Sequence, residues 1–378
     1  MLYSQRSSIY NSVGEKMASK KFQYNKSATS RDVAKLAGVS QSTVSRVFAT
    51  TDGKGVTAQA REKVLKAAEE LGYRPNFVAR GMISGKTNII GVVVGEGMGP
   101  FYHNIMDRLI SSIQAMGKQS LMFKVSKRDN IDNIILKVIQ FQVEAIIITA
   151  PAMAKEVQDL GVESDIPVIL FNRFIPDAQF HTAYINAIEG GNLAAECLCN
   201  SGHTDIAYIR YTQDTGEETE KQIGFSAGLR RHGIYQMQIE KAEYTYESGY
   251  EAFRRIYQSE KRPTAVFCTS DTIALGVMDA ARKEFHLRVP EDISIIGYDD
   301  IPMVQWESYD MTTIRQPYGE LVDETLAIIQ SLQSKEAEEI EQPIIKMIQP
   351  VLIERKTKKH VNSWKKGKPK LGFPFLSM

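Results

Sequence analysis

The chain has 378 residues, 43% of them hydrophobic and 24% charged: an ordinary soluble composition, too long for one core, so two or three domains are expected. No apolar run approaches the roughly 18–20 residues of a bilayer-spanning helix, and the first residues lack the apolar centre of a secretory signal. No membrane partner and a cytoplasmic location are therefore expected. The net charge of +1 hides an asymmetry: residues 1–28 are net +4, residues 29–86 net +5, residues 87–354 net −16 and residues 355–378 net +8. A basic head on an acidic body suits polyanion binding, and a solubility pattern with basic ends would look the same by charge alone.

Residues 1–28, rich in Ser, Lys and Asn, read as a disordered basic extension, and Met17 is a second candidate start. Order begins with TSRDVAKLAGVSQSTVSRVF. Thr29 or Ser30 can cap a short helix through Leu36, with Val33, Ala34 and Ala37 on its inner face. Gly38 permits the backbone conformation that ends it. Ser40 caps a second helix, Gln41 to about Ala49, with Val44 and Val47 inward and Gln41, Ser42, Ser45 and Arg46 outward, Thr43 beside them. Two short helices joined by a glycine-containing turn make a helix-turn-helix, and such polar side chains read base edges or hold phosphates in a major groove. A third helix, capped by Thr57 and spanning about Ala58 to Leu71, brings Val64, Leu65, Ala68 and Leu71 to the head's core.

From Asn88 onward apolar strand runs alternate with helical stretches: IIGVVV, SLMFKV, AIIIT and PVILF, then IAYIR, AVFCTS and ISIIGYDD. Helices are expected between them, among them Lys221–His232, Ser248–Ser259 and Thr272–Glu284. Such alternation means parallel βαβ units. The fold class is thus a small all-α helix-turn-helix head followed by an α/β body with parallel sheets.

The order of elements from Thr29 to about Val351 closely resembles the LacI/GalR (lactose-repressor) family of transcription regulators. The resemblance implies a domain plan: extension 1–28, DNA-binding head 29–75, hinge helix and linker 76–86, two-lobed effector-binding and dimerisation domain 87–354, and basic tail 355–378. The body takes the periplasmic-binding-protein-like fold, with the chain crossing between lobes near Ala183–Glu189, near Tyr309–Pro317 and in PIIKMIQPVLI. In the head, Gln41 and Ser42 stand where the family reads bases, and Ser40 and Arg46 where it positions the recognition helix. Thr29, Thr43 and Ser45 join them as DNA contacts. In the hinge, Asn76, Val78, Ala79 and Met82 are the implied contacts, Met82 standing where the family inserts a leucine between base steps; an apolar wedge there kinks the duplex. Three features depart from the family pattern: Ser30 in place of an apolar residue, two extra residues in the Ala49–Gly55 loop, and Gly81 in the hinge helix.

Ligands in such bodies bind beyond the carboxyl ends of the strands, between the lobes. Phe101 and Tyr102, Asn172 and Arg173, Ser270 and Asp271, and Asp299 and Asp300 follow strands there. The resemblance selects Phe101, Tyr102, Asn172, Lys221, Tyr244, Asp271 and Asp299, with Arg173 and Ser270 completing the expected effector site. Asp271 equally suits a helix cap, Asp300 a loop anchor and Arg173 an ion pair. Lys221 replaces an arginine common in the family and lacks its bidentate fork.

Other chemistries fail on spacing. Gly95, Gly97 and Gly99 miss the dinucleotide fingerprint, and no G-x-S-x-G elbow occurs. Cys197, Cys199 and Cys268 read as buried small residues rather than metal ligands, so no cofactor or metal, and no enzyme activity, is expected. The expected partners are a near-palindromic double-stranded operator, a second copy of the chain, and a small-molecule effector: a sugar or sugar derivative first, a purine second, with a protein partner as the alternative. Repression is the expected mode. The tail lacks leucine heptads, which argues against a coiled-coil tetramer.

Overall fold

Small apolar side chains at helical spacing build the first of two units, Met1–Thr87 and Asn88–Met378, in a computed structural model. It describes residues 28–49, 55–74, 87–95, 102–126, 131–149, 166–176, 180–213, 215–334, 340 and 342–359. Helix α1 (Ser30–Ala37) is capped by Thr29: the Thr29 hydroxyl accepts from the Asp32 N–H, and the Asp32 carboxylate accepts from the Thr29 N–H at 2.8 Å. This capping box satisfies two otherwise orphaned donors. Gly38, at φ 67°, closes the helix in the left-handed region that suits glycine. Helix α2 (Gln41–Ala49) starts at Ser40, whose hydroxyl accepts from the Thr43 N–H at 3.2 Å. Helix α3 (Ala58–Glu70) is capped by Thr57.

Val33, Ala34, Ala37, Val44, Val47, Val64, Ala67 and Ala68 form the core of this unit. The alanines let the helices cross closely. Leu65 and Leu71, expected inside, are exposed, and Ala67 is buried instead. Positions 64, 67 and 68 share one helical face, whereas 65 falls on its flank and Leu71 lies at the C-cap, beyond the last full turn.

In the second unit, lobe 1 is an all-parallel six-stranded sheet in the order β11-β5-β4-β3-β1-β2. Its strands are β1 (Ile89–Gly95), β2 (Gln119–Val125), β3 (Ala145–Ile148), β4 (Val168–Phe171), β5 (His181–Ile185) and β11 (Ile345–Ile348). Its helices are α4 (Tyr102–Ala115), α5 (Ile131–Gln140) and α10 (Tyr318–Leu332). Lobe 2 is the sheet β12-β10-β9-β8-β6-β7, parallel except for the antiparallel pair of β10 and β12. Its strands are β6 (Ile206–Tyr211), β7 (Gln238–Ala242), β8 (Ala265–Cys268), β9 (Ser294–Asp299), β10 (Thr313–Arg315) and β12 (Val351–Ile353). Helices α6 (Ala187–Asn200), α7 (Gly216–Arg231), α8 (Tyr246–Tyr257) and α9 (Asp271–Asp279) complete it. Each sheet separates two apolar clusters, as expected for sheets covered on both faces.

The chain crosses between lobes three times: at Asn186 between β5 and α6, at Gln316–Pro317 between β10 and α10, and at Gln349–Pro350 between β11 and β12. These fall inside the stretches read from sequence. Helices α7 and α8 begin earlier than expected because Thr215 and Thr245 cap them, their hydroxyls accepting from the Glu218 and Ser248 N–H groups. Helix α9 gives way to a π-helical turn over Ala280–Glu284. Strand β7, whose sequence QIEKA lacks an apolar run, is an edge strand. Residues 355–359, assigned by sequence to the tail, pack on lobe 2: the Thr357 hydroxyl, 1% exposed, donates to the Ile295 carbonyl at 2.6 Å and accepts from the Thr312 N–H at 2.9 Å.

Candidate nucleic-acid interface and ligand cleft

Helix α2 sorts its residues by period. Val44 and Val47 are buried, and Gln41, Ser42, Ser45 and Arg46 are exposed on the other side, with Thr43 half-buried. The cap Ser40 is also exposed, and its hydroxyl pairs with those of Ser42 at 2.8 Å and Thr43 at 2.9 Å. The result is one continuous polar surface at a helix N-terminus, where free backbone N–H groups favour phosphate. Ser30 acquires a local role: its hydroxyl accepts from the Gln41 amide at 2.9 Å, tying α2 to the start of α1. Arg46 reaches the Gly55 carbonyl at 3.5 Å and stays solvent-exposed. Thr29 is exposed but committed to its cap. Asn76, Val78, Ala79 and Met82 lie outside the described residues, as does Phe101.

In the body, the ends of β4, β6, β8 and β9 gather most of the remaining expected residues. Asn172 sits at φ 56° just after β4, and its side-chain oxygen accepts from the Ile185 N–H at 3.2 Å, bracing β4 against the first crossing. Arg173, half-buried beside it, has its pKa lowered by burial, opposed by Glu220 on α7 of the other lobe. The first turns of α7 therefore face the loop after β4. Tyr102 opens α4 with its hydroxyl buried beside Thr149, and burial raises its pKa.

Lys221 is 2% exposed. Its ammonium lies 2.9 Å from Glu217, 3.4 Å from Glu218 and 3.4 Å from the Thr269 carbonyl, and 4.2 Å from the centre of the Tyr298 ring. Burial alone would lower the lysine's pKa; Glu217, Tyr244 and Glu218 hold it well above the ordinary value. Glu218, fully buried, also accepts from the Tyr211 N–H and the Tyr244 hydroxyl, both at 3.1 Å. Tyr244 in turn stacks on Tyr211 at 4.1 Å. Sequence reading missed this carboxylate pair, although Glu217 and Glu218 stand four and three residues before Lys221, the spacing that brings side chains together on a helix.

The four strand-end residues of lobe 2 divide by environment. Ser270 caps α9 through the Thr272 N–H at 3.2 Å. Asp271 is fully buried, its carboxylate accepting from the Thr313 hydroxyl at 2.7 Å and the Ile301 N–H at 2.9 Å; burial and then Asp299 push its pKa well up. Asp300 is buried between Arg315 at 2.7 Å and Arg355 at 2.6 Å. Asp299, at φ 120°, is less enclosed as a residue than Asp271 and Asp300, and its carboxylate accepts from the Gln316 amide at 2.7 Å and from the Ser270 hydroxyl. Burial pushes its pKa up to about 7 against the pull of Lys221 and Gln316, with Glu217 adding repulsion and Ser270 a further pull downward. The structure thus places Asn172, Arg173, Tyr244, Ser270 and Asp299 just beyond or at strand ends, buries Lys221 on α7 against the Thr269 carbonyl and the Tyr298 ring, and turns Asp271 into the lobe 2 core.

Comparisons with known proteins agree with both halves of the chain. A family model described as bacterial regulatory proteins, lacI family, matches residues 29–76, and a periplasmic binding protein-like domain matches residues 195–357. The HTH-type transcriptional repressor PurR of Vibrio campbellii is 32% identical over 343 residues, spanning 89% of this chain and all of the relative. Catabolite control protein A of Priestia megaterium is 31% identical over 310 residues, 81% of this chain and 92% of that protein. Among solved structures, a lac repressor dimer bound to operator and the anti-inducer ONPF superposes with TM-score 0.80 at 25% identity, covering 88% of this chain and all of that one. A complex of the transcriptional regulator CelR with cellobiose gives TM-score 0.63 at 26% identity, covering 87% and 99%. The chain belongs to the lacI family of bacterial regulatory proteins, and it is a DNA-binding transcription regulator rather than an enzyme.

Proposed function

We propose that the protein is a cytoplasmic, homodimeric repressor of transcription, whose grip on a near-palindromic operator is set by a sugar or sugar derivative bound between the lobes of its body. The observation that carries the effector half is Asp299, a partly exposed residue at the end of β9 held by hydrogen bonds from Gln316 and Ser270 and close to Tyr244, while its neighbours Asp271 and Asp300 are buried among fixed partners. A partly exposed aspartate with adjacent amide and hydroxyl groups suits the hydroxyls of a sugar. Charge argues against an anionic effector. Lys221 is neutralised by Glu217 and Glu218 and Arg173 faces Glu220, so a phosphate would meet carboxylates rather than an open cation. The solved CelR–cellobiose complex shares the fold and supports the same class.

Operator binding is assigned to Ser40, Gln41, Ser42, Thr43, Ser45 and Arg46 on the exposed side of α2, with Thr29 at the start of α1 and Asn76, Val78, Ala79 and Met82 as the hinge contacts. Two-fold symmetry in the protein would be mirrored in the DNA. The operator-bound lac repressor is a dimer, and exposed apolar side chains at the β2 side of lobe 1, Met122, Leu136 and Phe141, offer a surface for a second copy.

The test is a thermal-shift screen of the full chain against neutral sugars, sugar phosphates, sugar acids and purines. A ligand at a hundred times its Kd stabilises the native state by about 2.7 kcal/mol, a shift of several degrees. A neutral sugar that moves both the melting temperature and operator affinity supports the reading. A purine or sugar phosphate that does so, with neutral sugars inert, overturns the effector class.

A further inference from the structure

The β9–β10 ladder ends on the rung that pairs Asp299 with Arg315. One residue later the chain leaves lobe 2: Gln316 and Pro317 form the second crossing, and Tyr318 opens α10 and packs against the apolar cluster of lobe 1. Backbone pairing to lobe 2 therefore stops at Arg315, and attachment to lobe 1 starts at Tyr318. Gln316 lies between, 5% exposed, and its amide donates to the Asp299 carboxylate at 2.7 Å. This side-chain bond extends the grip of lobe 2 one residue into the crossing. The neighbouring bond fixes the rung itself: Asp300 holds Arg315 at 2.7 Å and Arg355, beyond β12, at 2.6 Å. Two consecutive aspartates thus hold two consecutive residues, the last of β10 and the first of the crossing, and the two holds differ. The Asp300 side chain is 3% exposed and doubly ion-paired, whereas Asp299 is a partly exposed residue whose carboxylate is held by hydrogen bonds from Gln316 and Ser270.

We propose that Gln316 is a positioning residue that reports the occupancy of Asp299 to the angle between the lobes: a ligand donating hydrogen bonds to the Asp299 carboxylate re-aims or weakens the Gln316 bond and moves the hinge point of the second crossing. This rests on the reading of Asp299 as an effector contact. The physical basis is that a further donor at the same carboxyl group changes the direction of the bond it already accepts and the charge it carries. A ligand shifts a conformational balance only through a contact that differs between the two states, and the Asp299–Gln316 bond is such a contact at the junction of the lobes. The first and third crossings are joined to each other instead, through Asn186 and Gln349 at 3.3 Å.

The experiment uses the full chain and an operator duplex selected by the wild-type protein from a random-sequence pool. Operator Kd is measured with no small molecule added for wild type, Gln316→Leu, Gln316→Glu and Gln349→Leu, with melting temperature as the check on folding. Gln316→Leu removes the donor, and Gln316→Glu sets a second carboxylate against Asp299. Both are expected to change operator Kd at least tenfold in the same direction and to lose the response to any effector found by the screen. Gln349→Leu, which breaks a bond between the other crossings, is expected to behave as wild type. A folded Gln316 variant with wild-type operator affinity and wild-type effector response overturns the proposal, as does an equal shift in Gln349→Leu, which would mean that any loosened crossing has the same effect. The underlying reading fails separately: an effector that binds Asp299→Asn as tightly as wild type removes Asp299 as its contact.

Discussion

His203 offers the cleanest quantitative test of the lobe 2 packing. It is 1% exposed, between α6 and β6, and its two ring nitrogens lie 3.0 Å from the Thr264 hydroxyl and 2.9 Å from the Ser294 hydroxyl, joining the segments that lead into β8 and β9. Burial lowers its pKa to about 4, against the opposing effect of the Lys359 backbone. An unfolded histidine titrates near 6.5, so between about pH 6.5 and 4 the unfolded chain binds more protons than the native one, and stability falls as pH falls. The contribution is fully present above the unfolded value; at pH 5 about 2 kcal/mol of it is lost. His203→Gln cannot titrate. The stability difference between wild type and variant, measured by urea unfolding followed by circular dichroism, should therefore shrink by about 2 kcal/mol from pH 7.5 to pH 5, while every other titrating group cancels. A difference that stays constant across that range would refute the buried, neutral histidine and its pairing with Ser294 and Thr264.

Three further outcomes follow from the geometry. Gly224→Ala would set a Cβ 1.8 Å from the Ile188 carbonyl oxygen, forcing α6 and α7 apart; a loss of about 3 kcal/mol or more in denaturant unfolding is expected. Arg46→Ala should weaken operator binding and reduce the slope of log K against log salt by about one if Arg46 holds a phosphate, read from titrations at several salt concentrations. Asp299→Asn should blunt the effector response and keep operator binding, with an effector-free affinity shifted less than in Gln316→Leu because a neutral amide oxygen still accepts from Gln316. Because the native Asp299 pKa, about 7, lies above the unfolded carboxylate value, the native state holds the extra proton between about pH 4 and 7, and wild-type stability falls as pH rises through that window. The variant should therefore gain on wild type over the same window, and a pH-independent difference would contradict it.

Local signals carried the architecture. Thr29, Gly38 and Ser40 marked the helix-turn-helix, and apolar runs marked the seven strands β1–β4, β6, β8 and β9, because a parallel strand buried on both faces is apolar throughout, whereas β5, β7 and β10 lack such runs. The third head helix shows the limit. Leu65 and Leu71 look like core residues by type, yet the face that meets α1 and α2 is built from Val64, Ala67 and Ala68. Aspartates 271, 299 and 300 were indistinguishable as residues after strands. Their roles separate only in three dimensions, where Thr313, Ile301, Arg315 and Arg355 arrive from other parts of the chain to saturate two of the three. Lys221 was legible as a cation at a family position, and its capture by Glu217 and Glu218 was there to be read at helical spacing. The Tyr298 ring beneath it, supplied from a distant strand, was not.

The last five described residues bear on where the body ends as a folding unit. Arg355 neutralises a buried carboxylate, and Thr357 lies 1% exposed between Ile295 and Thr312. A fragment cut after Glu354 would leave Asp300 with Arg315 alone and leave the Thr312 N–H without its acceptor, both in the interior of lobe 2. Removing one partner of a buried ion pair typically costs about 3–5 kcal/mol, a large share of a domain's net stability. Residues 355–359 are thus the last described piece of lobe 2, and its clasp on Asp300 and Thr312 closes only after they have been synthesised.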